Sequence, residues 1–205
     1  MKRKVIAGML IVVGLAVMSV PLCWRLAGNY RNQKMIDEIE QIIEQETENE
    51  EKEAGQEETK ASISEEDAAT LAKAEVIGLI EIETLDIKYA VLEGAGSNDL
   101  SCGIGHIPDT AGIGETGNCV LAGHNGSRHG TYFTNLKTLK EGDVVKLTDK
   151  KGNQYFYEVE SMEVVGPYDN SVKDQGEEKV LTLLTCENSG TMRLIVRCSL
   201  KEAAE

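Results

Sequence analysis

Histidine and basic side chains are scarce in this chain. Only His106, His124 and His129 occur in 205 residues, and none stands at a spacing from cysteine that would build a zinc site. The acids form no recognisable calcium loop, so no metal and no cofactor is expected. Lysine and arginine number 21 against 35 acidic residues, a formal net charge of −14. Residues 76–205 alone hold twenty acids and twelve bases, and that −8 disfavours nucleic acid and bare anionic polymers as partners. There is no internal repeat.

What charge there is lies unevenly along the chain. Met1-Lys-Arg-Lys4 precedes an uncharged apolar run from Val5 to Trp24, about long enough to span a bilayer at 1.5 Å per residue. The run exceeds an ordinary signal-peptide core and lacks a clear small-x-small cleavage site, which favours an uncleaved anchor over a cleaved signal. The basic cluster then stays in the cytoplasm and the remainder lies outside. Residues 37–67 carry fourteen acids and two lysines, too polar to build a core and expected to form a solvated stalk. Within it Met35-Ile-Asp-Glu-Ile-Glu-Gln-Ile-Ile43 has apolar residues at helical spacing, consistent with a helix that extends the membrane segment or pairs with a partner. Ser64-Glu-Glu-Asp67 reads as the start of a short helix reaching about Ala74. The organisation expected is a cytoplasmic tail (1–4), a transmembrane signal-anchor (5–24), an acidic extracytoplasmic linker (25–63) and one folded domain (64–205).

That domain reads as all-β. Apolar runs at Val144-Val-Lys-Leu147, Tyr155-Phe-Tyr-Glu-Val159 and Met162-Glu-Val-Val165 are separated by turns at Lys150-Lys-Gly-Asn153 and Gly166-Pro-Tyr-Asp-Asn170. A short helix is possible over Thr131 to Leu139. Two further strands end on chemically useful side chains. Leu181-Thr-Leu-Leu-Thr-Cys186 finishes on a thiol beside a polar turn, and Asn118-Cys-Val-Leu-Ala-Gly-His124 finishes on an imidazole. A cysteine at a strand tip is accessible as a nucleophile, and a histidine distant in sequence supplies its proton-transfer partner. On composition alone such a cysteine is more often a small buried hydrophobe.

Arg193 follows across the turn Glu187-Asn-Ser-Gly190. A connection of two or four residues sets Cys186 opposite Thr191 with Arg193 as its diagonal neighbour on the same face, whereas three or five residues turn Arg193 to the other face. Arg197 is the rival arginine, on the same face but about 13 Å further along the strand. His106 and His129 close no strand in this reading and are taken as structural and solvated. Of the five cysteines, Cys23 falls at the membrane interface, and Cys102, Cys119 and Cys198 are expected to pack unpaired, although sequence leaves a bond between two of them open.

Ala122-Gly-His124, Thr182-Leu-Leu-Thr-Cys186 and Arg193 in Arg-Leu-Ile-Val resemble the His, TLxTC and Arg motifs of sortases, the cysteine transpeptidases of Gram-positive cell surfaces. Gly78-Leu-Ile-Glu-Ile82 with Leu85 to Gly94 is similar to the family's first strands, and Gly103-Ile-Gly-His-Ile-Pro-Asp-Thr110 to the glycine-rich stretch before the histidine strand. The likeness runs from about Val76 to Leu200. It implies a closed eight-stranded β-barrel with short helices, a groove for an LPxTG-like sorting peptide, and transfer of the cleaved protein to an amine of a peptidoglycan precursor. Carried over residue by residue, it makes Cys186 the nucleophile, His124 the proton donor to the leaving amine, Arg193 the oxyanion partner and Thr185 a groove residue.

No proline of Pro21, Pro108 and Pro167 follows an aspartate, and no second hydrophobic helix precedes Glu205, so the resemblance is to class D or class B rather than to a pilus polymerase. The alternatives are an extracellular thiol protease working by hydrolysis, with the same machinery, and a non-catalytic surface-binding barrel.

Overall fold

The computed structural model describes residues 75–126 and 131–201, the helical segment 32–45, and a few isolated positions nearer the amino terminus. Eight strands close on themselves: β1 (Val76–Ile82), β2 (Ile87–Glu93), β3 (Ile104–His106), β4 (Gly117–Gly123), β5 (Val144–Asp149), β6 (Gln154–Val165), β7 (Lys179–Glu187) and β8 (Met192–Leu200). Their order around the barrel is β1-β2-β3-β4-β7-β8-β6-β5, with β5 returning to β1. The β2–β3 and β4–β7 pairs are parallel, and all others are antiparallel. Closure removes the free edges that an open sheet of this size would expose.

Strand alternation fills the interior. Ile80, Ile82, Val91, Leu121, Val145, Leu147, Tyr157, Leu181, Leu183 and Val196 form one buried cluster. All seven residues of β4 are buried, and Asn118 is the one polar side chain among them. On β1, a Cβ at Gly78 would sit 2.3 Å from the Thr148 carbonyl oxygen, so only glycine lets β1 approach β5 at the seam that closes the barrel.

Several expectations are revised. The two runs 155–159 and 162–165 are one long strand, β6, which absorbs its extra residue in a bulge between Val159 and Ser161. The helical part of the stretch 131–139 is confined to the 3₁₀ turn Leu136–Thr138. His106 does close a strand, β3, and is buried, with Nδ1 3.0 Å from a Glu93 carboxylate oxygen and Nε2 3.0 Å from the Ala111 carbonyl. The four cysteines among the described residues, Cys102, Cys119, Cys186 and Cys198, are all free.

The helical segment 32–45 has found its partner in the barrel itself. Met35 packs on Ala90 and Leu92, and Ile36 and Ile39 pack on Leu79. Because β3 pairs only with the far end of β2, the backbone at Lys88 and Ala90 lacks a ladder neighbour on that side. The Asn32 amide takes its place, with Nδ2 donating to the Lys88 carbonyl at 3.0 Å and Oδ1 accepting from the Ala90 amide at 3.4 Å. Lys88 pairs with Glu40 alongside. Of the expected anchor only Met9, Gly14, Met18, Ser19 and Val20 are described, all helical. Among the described residues no helix is long and apolar enough to cross a membrane. The basic tail, Cys23, the helix expected from Ser64 to Ala74, and His129 lie outside the described residues.

Two predictions follow from the packing. Replacing Ile39, 1% exposed, by alanine should cost about 2 kcal/mol and speed amide exchange in 32–45. Unchanged exchange there would mean that the docked helix contributes no stability. Burial pushes the Cys119 and Cys198 thiols from the ordinary 9.0 up to about 12, so the unfolded chain releases these protons before the folded one does. The unfolded state therefore binds fewer protons across that window, and stability should fall as pH rises from about 9 toward about 12. A urea midpoint should decline over this range, and should decline less in Cys119→Ala. Equal declines in both proteins would contradict the assignment.

Candidate functional site

Where the β4–β7 ladder stops, the site begins. Its last pair is Gly123 with Thr185, and the next residues on the two strands are His124 and Cys186. Parallel neighbours lie about 4.8 Å apart, so the imidazole and the thiol leave adjacent strands at one level. Alternation along β7 sends Leu181, Leu183 and Thr185 into the barrel and leaves Cys186, half-buried, on the outer face.

On the other side of Cys186 stands β8. The ladder pairs Glu187 with Met192 and Cys186 with Arg193, so Arg193 is the direct neighbour of the thiol rather than the diagonal one. The turn starts one residue later than the sequence suggests because Asn188, Ser189 and Gly190 are all left-handed, with φ of 48°, 56° and 89°, and so β7 extends through Glu187. The three candidate residues thus form one row across β4, β7 and β8, with the thiol in the middle. Arg197 is opposite Thr182 and 3.7 Å from a Glu163 carboxylate oxygen, well away from Cys186. Arg193 Nη1 donates to the carbonyls of Gly190 and Met192, each at 2.9 Å. These bonds hold the guanidinium at the turn, with Nε and Nη2 left for a further acceptor among the described residues.

Thr185, the expected groove residue, lies just before the nucleophile candidate on β7. It is 1% exposed, faces inward, and its hydroxyl donates to the Gly123 carbonyl at 2.7 Å. Alternation requires this, since two consecutive strand residues cannot share a face. Its contribution is to fix the backbone immediately before His124. Gly123 is constrained as well, because a Cβ there would lie 2.7 Å from the buried Phe133 ring and from Ile104. A larger residue would push His124 out of its row.

Residues with no distinguishing mark in the sequence support the histidine. The His124 carbonyl accepts from the Phe133 amide at 3.1 Å, and its ring meets Tyr132 edge-on at 6.1 Å. Tyr132 is itself stacked on Tyr89 at 5.0 Å, and the Tyr89 hydroxyl accepts from the Thr131 and Tyr132 amides, each at 3.0 Å. Asn125 donates its side-chain amide to the Cys186 carbonyl at 2.7 Å. At the opposite end of the same strands, buried Asn118 accepts from Thr182 at 2.7 Å and donates to the Val172 carbonyl at 2.9 Å. Gln175 brackets the Asn118 backbone through its own amide group. These bonds pin the β6–β7 loop over a cavity of about 450 Å³, lined by Asn118, Asp174, Gln175, Glu177, Val180 and Arg197 among others. Val180 lies six residues from Cys186 on the same face of β7, about 20 Å along the strand.

A thiol set between an imidazole and a guanidinium is suited to acyl transfer. An imidazole can take and return a proton within a reaction cycle, and a guanidinium offers several donors to a carbonyl oxygen that gains charge. Of the other described thiols, Cys119 and Cys198 are held in the core. No group of three or more His, Cys, Asp or Glu side chains able to hold a metal ion occurs among the described residues.

A family model described as "Sortase domain" matches residues 80–201. Sortase A of Bacillus anthracis is 35% identical over 119 residues, covering 58% of this chain and 55% of that protein. Sortase D of Bacillus subtilis (strain 168) is 32% identical over 110 residues, 53% of either chain. The match therefore spans about half the length of these curated relatives. Among solved structures, a Clostridium perfringens Sortase D5 transpeptidase aligns with a TM-score of 0.57 at 33% identity, covering 69% of this chain and 91% of that one. Sortase A from Corynebacterium diphtheriae aligns with a TM-score of 0.60 at 26% identity over 88% and 93% of the two chains. The matched region runs from within β1 to the end of β8 and contains His124, Cys186 and Arg193, and the chain belongs to the sortase family.

Proposed function

We propose that this chain is a membrane-anchored transpeptidase, which cleaves an LPxTG-like sorting signal and transfers the protein carrying it to an amine of the cell wall. The observation that supports this most is the row of His124, Cys186 and Arg193 on one outer face of the barrel, with the thiol between the two cationic or proton-exchanging groups.

In the reaction, Cys186 Sγ attacks the carbonyl carbon of the scissile Thr-Gly bond. The oxygen takes up the electron pair, and the unused donors of Arg193 stabilise it. Collapse of this intermediate expels the glycine nitrogen, which His124 protonates, and leaves the peptide as a thioester on Cys186. An incoming amine then gives its proton to His124 as it attacks the thioester, and the thiolate departs. Water in place of the amine gives hydrolysis. The apolar run Val5 to Trp24 anchors the chain, with the domain outside the cell.

The test uses the full chain in detergent with LPxTG-type fluorogenic peptides and triglycine, and products are followed by mass spectrometry. Ligated product that disappears in Cys186→Ala is the expected result, and cleavage without ligation would favour a thiol protease. Arg193→Lys should lower turnover by roughly 10²-fold, because an ammonium keeps the charge but lacks the planar fork of donors. An undiminished Arg193→Lys enzyme would remove Arg193 from the oxyanion role.

A further inference from the structure

Past Gly123 and Thr185 the parallel ladder has no further rungs, yet the Cys186 carbonyl still points toward β4. It accepts a hydrogen bond there from the Asn125 side chain, at 2.7 Å, across 61 residues of sequence. A residue's amide and carbonyl leave a strand on the same side, so Cys186 turns both toward β4. Its pairing with Arg193 is therefore of the non-hydrogen-bonded kind, in which facing side chains come closest. The Asn125 amide thus replaces a missing rung and fixes the peptide plane of the residue carrying the thiol.

Asn125 is the residue after His124, so the same contact bears on the imidazole. The backbone around it is held from the other side: Asn125 forms an isolated antiparallel bridge with Tyr132, and the Gly126 amide donates to Thr134 Oγ1 at 3.0 Å. Tyr132 is also the ring against which His124 rests. The strand bearing the thiol and the turn bearing the imidazole are therefore joined, beyond the end of their ladder, by one amide. Joining them through a side chain lets the backbone after His124 leave the sheet while the two chain segments stay tied.

We propose that Asn125 is a positioning residue for acyl transfer: by donating to the Cys186 carbonyl it sets the separation and orientation of the Cys186 thiol and the His124 imidazole. The proposal rests on the reading of Cys186 as nucleophile. Asn125 is exposed, and an exposed hydrogen bond contributes little to global stability. Proton transfer between thiol and imidazole, by contrast, is sensitive to small displacements. Removal of the donor should therefore be felt in turnover and in thiol chemistry far more than in folding.

The experiment compares the full chain with Asn125→Ala and with Asn125→Asp, which keeps the shape but has no amide to donate. Three quantities are measured on each: the melting temperature, the pH profile of Cys186 alkylation by iodoacetamide read by peptide mass spectrometry, and kcat and KM with an LPxTG-type peptide and triglycine. Both variants should lose about tenfold or more in kcat, with KM changed less than about twofold and the melting temperature lowered by less than about 4 °C. Both should also displace the alkylation profile. The alkylation arm needs no substrate and so tests the clamp even if the peptide motif is wrong. Wild-type kcat and an unmoved profile in both variants would overturn the proposal, as would a large fall in melting temperature with kcat retained. A wild-type chain in which Cys186 reacts no faster than half-buried Cys102 would instead overturn the nucleophile reading itself.

Discussion

The parallel pairing of β4 with β7 is the constraint from which the site follows. Seven rungs, from Gly117 with Lys179 to Gly123 with Thr185, fix the two strands in register, and the pairing stops just before His124 and Cys186. A slip of one residue would turn Cys186 into the barrel and bring Thr185 out. The interior holds the register in place: Leu121, Leu181 and Leu183 are buried in one cluster with strands from the far side of the barrel. Antiparallel β8 then adds Arg193 to the row without any further device. Chemistry at this site is thus a boundary effect of the core, in which polar groups occupy the first positions past the end of the apolar ladder.

Much of this was legible in the sequence, for a physical reason. An apolar strand that stops on a polar side chain marks the point where the interior ends, and both Asn118 to His124 and Leu181 to Cys186 carry that mark. The barrel class, most strand positions and the pairing of Cys186 with a nearby arginine follow from the same patterns. The exact partner did not, because it depends on Asn188 and Ser189 adopting positive φ, which neither residue type requires. For Thr185 the two sources differ: alternation alone sends it inward, and the family likeness suggested the groove.

What stayed hidden was nonlocal. Asn125 reaches Cys186 across 61 residues and Asn118 reaches Thr182 across 64, and no periodicity announces a side-chain amide that replaces a ladder bond. The helical stripe at Met35 to Ile43 was visible, but not the surface of β1 and β2 that it covers, since an amphipathic stripe specifies a partner's character and not its location. The cysteines show the same division. Five identical side chains are indistinguishable by type, whereas burial removes Cys119 and Cys198 from chemistry, and position at the ladder's end makes Cys186 available for it.

The central claim is that Cys186 carries the acyl group between two half-reactions. Its most direct test is to mix the full chain with an LPxTG-type peptide in the absence of an amine, quench in acid, and measure the intact mass. The expected result is a mass increase equal to the peptide up to its threonine less one water, located on Cys186 by fragmentation and discharged when triglycine is added. No adduct under conditions where the peptide is cleaved, or an adduct on any other residue, would contradict it.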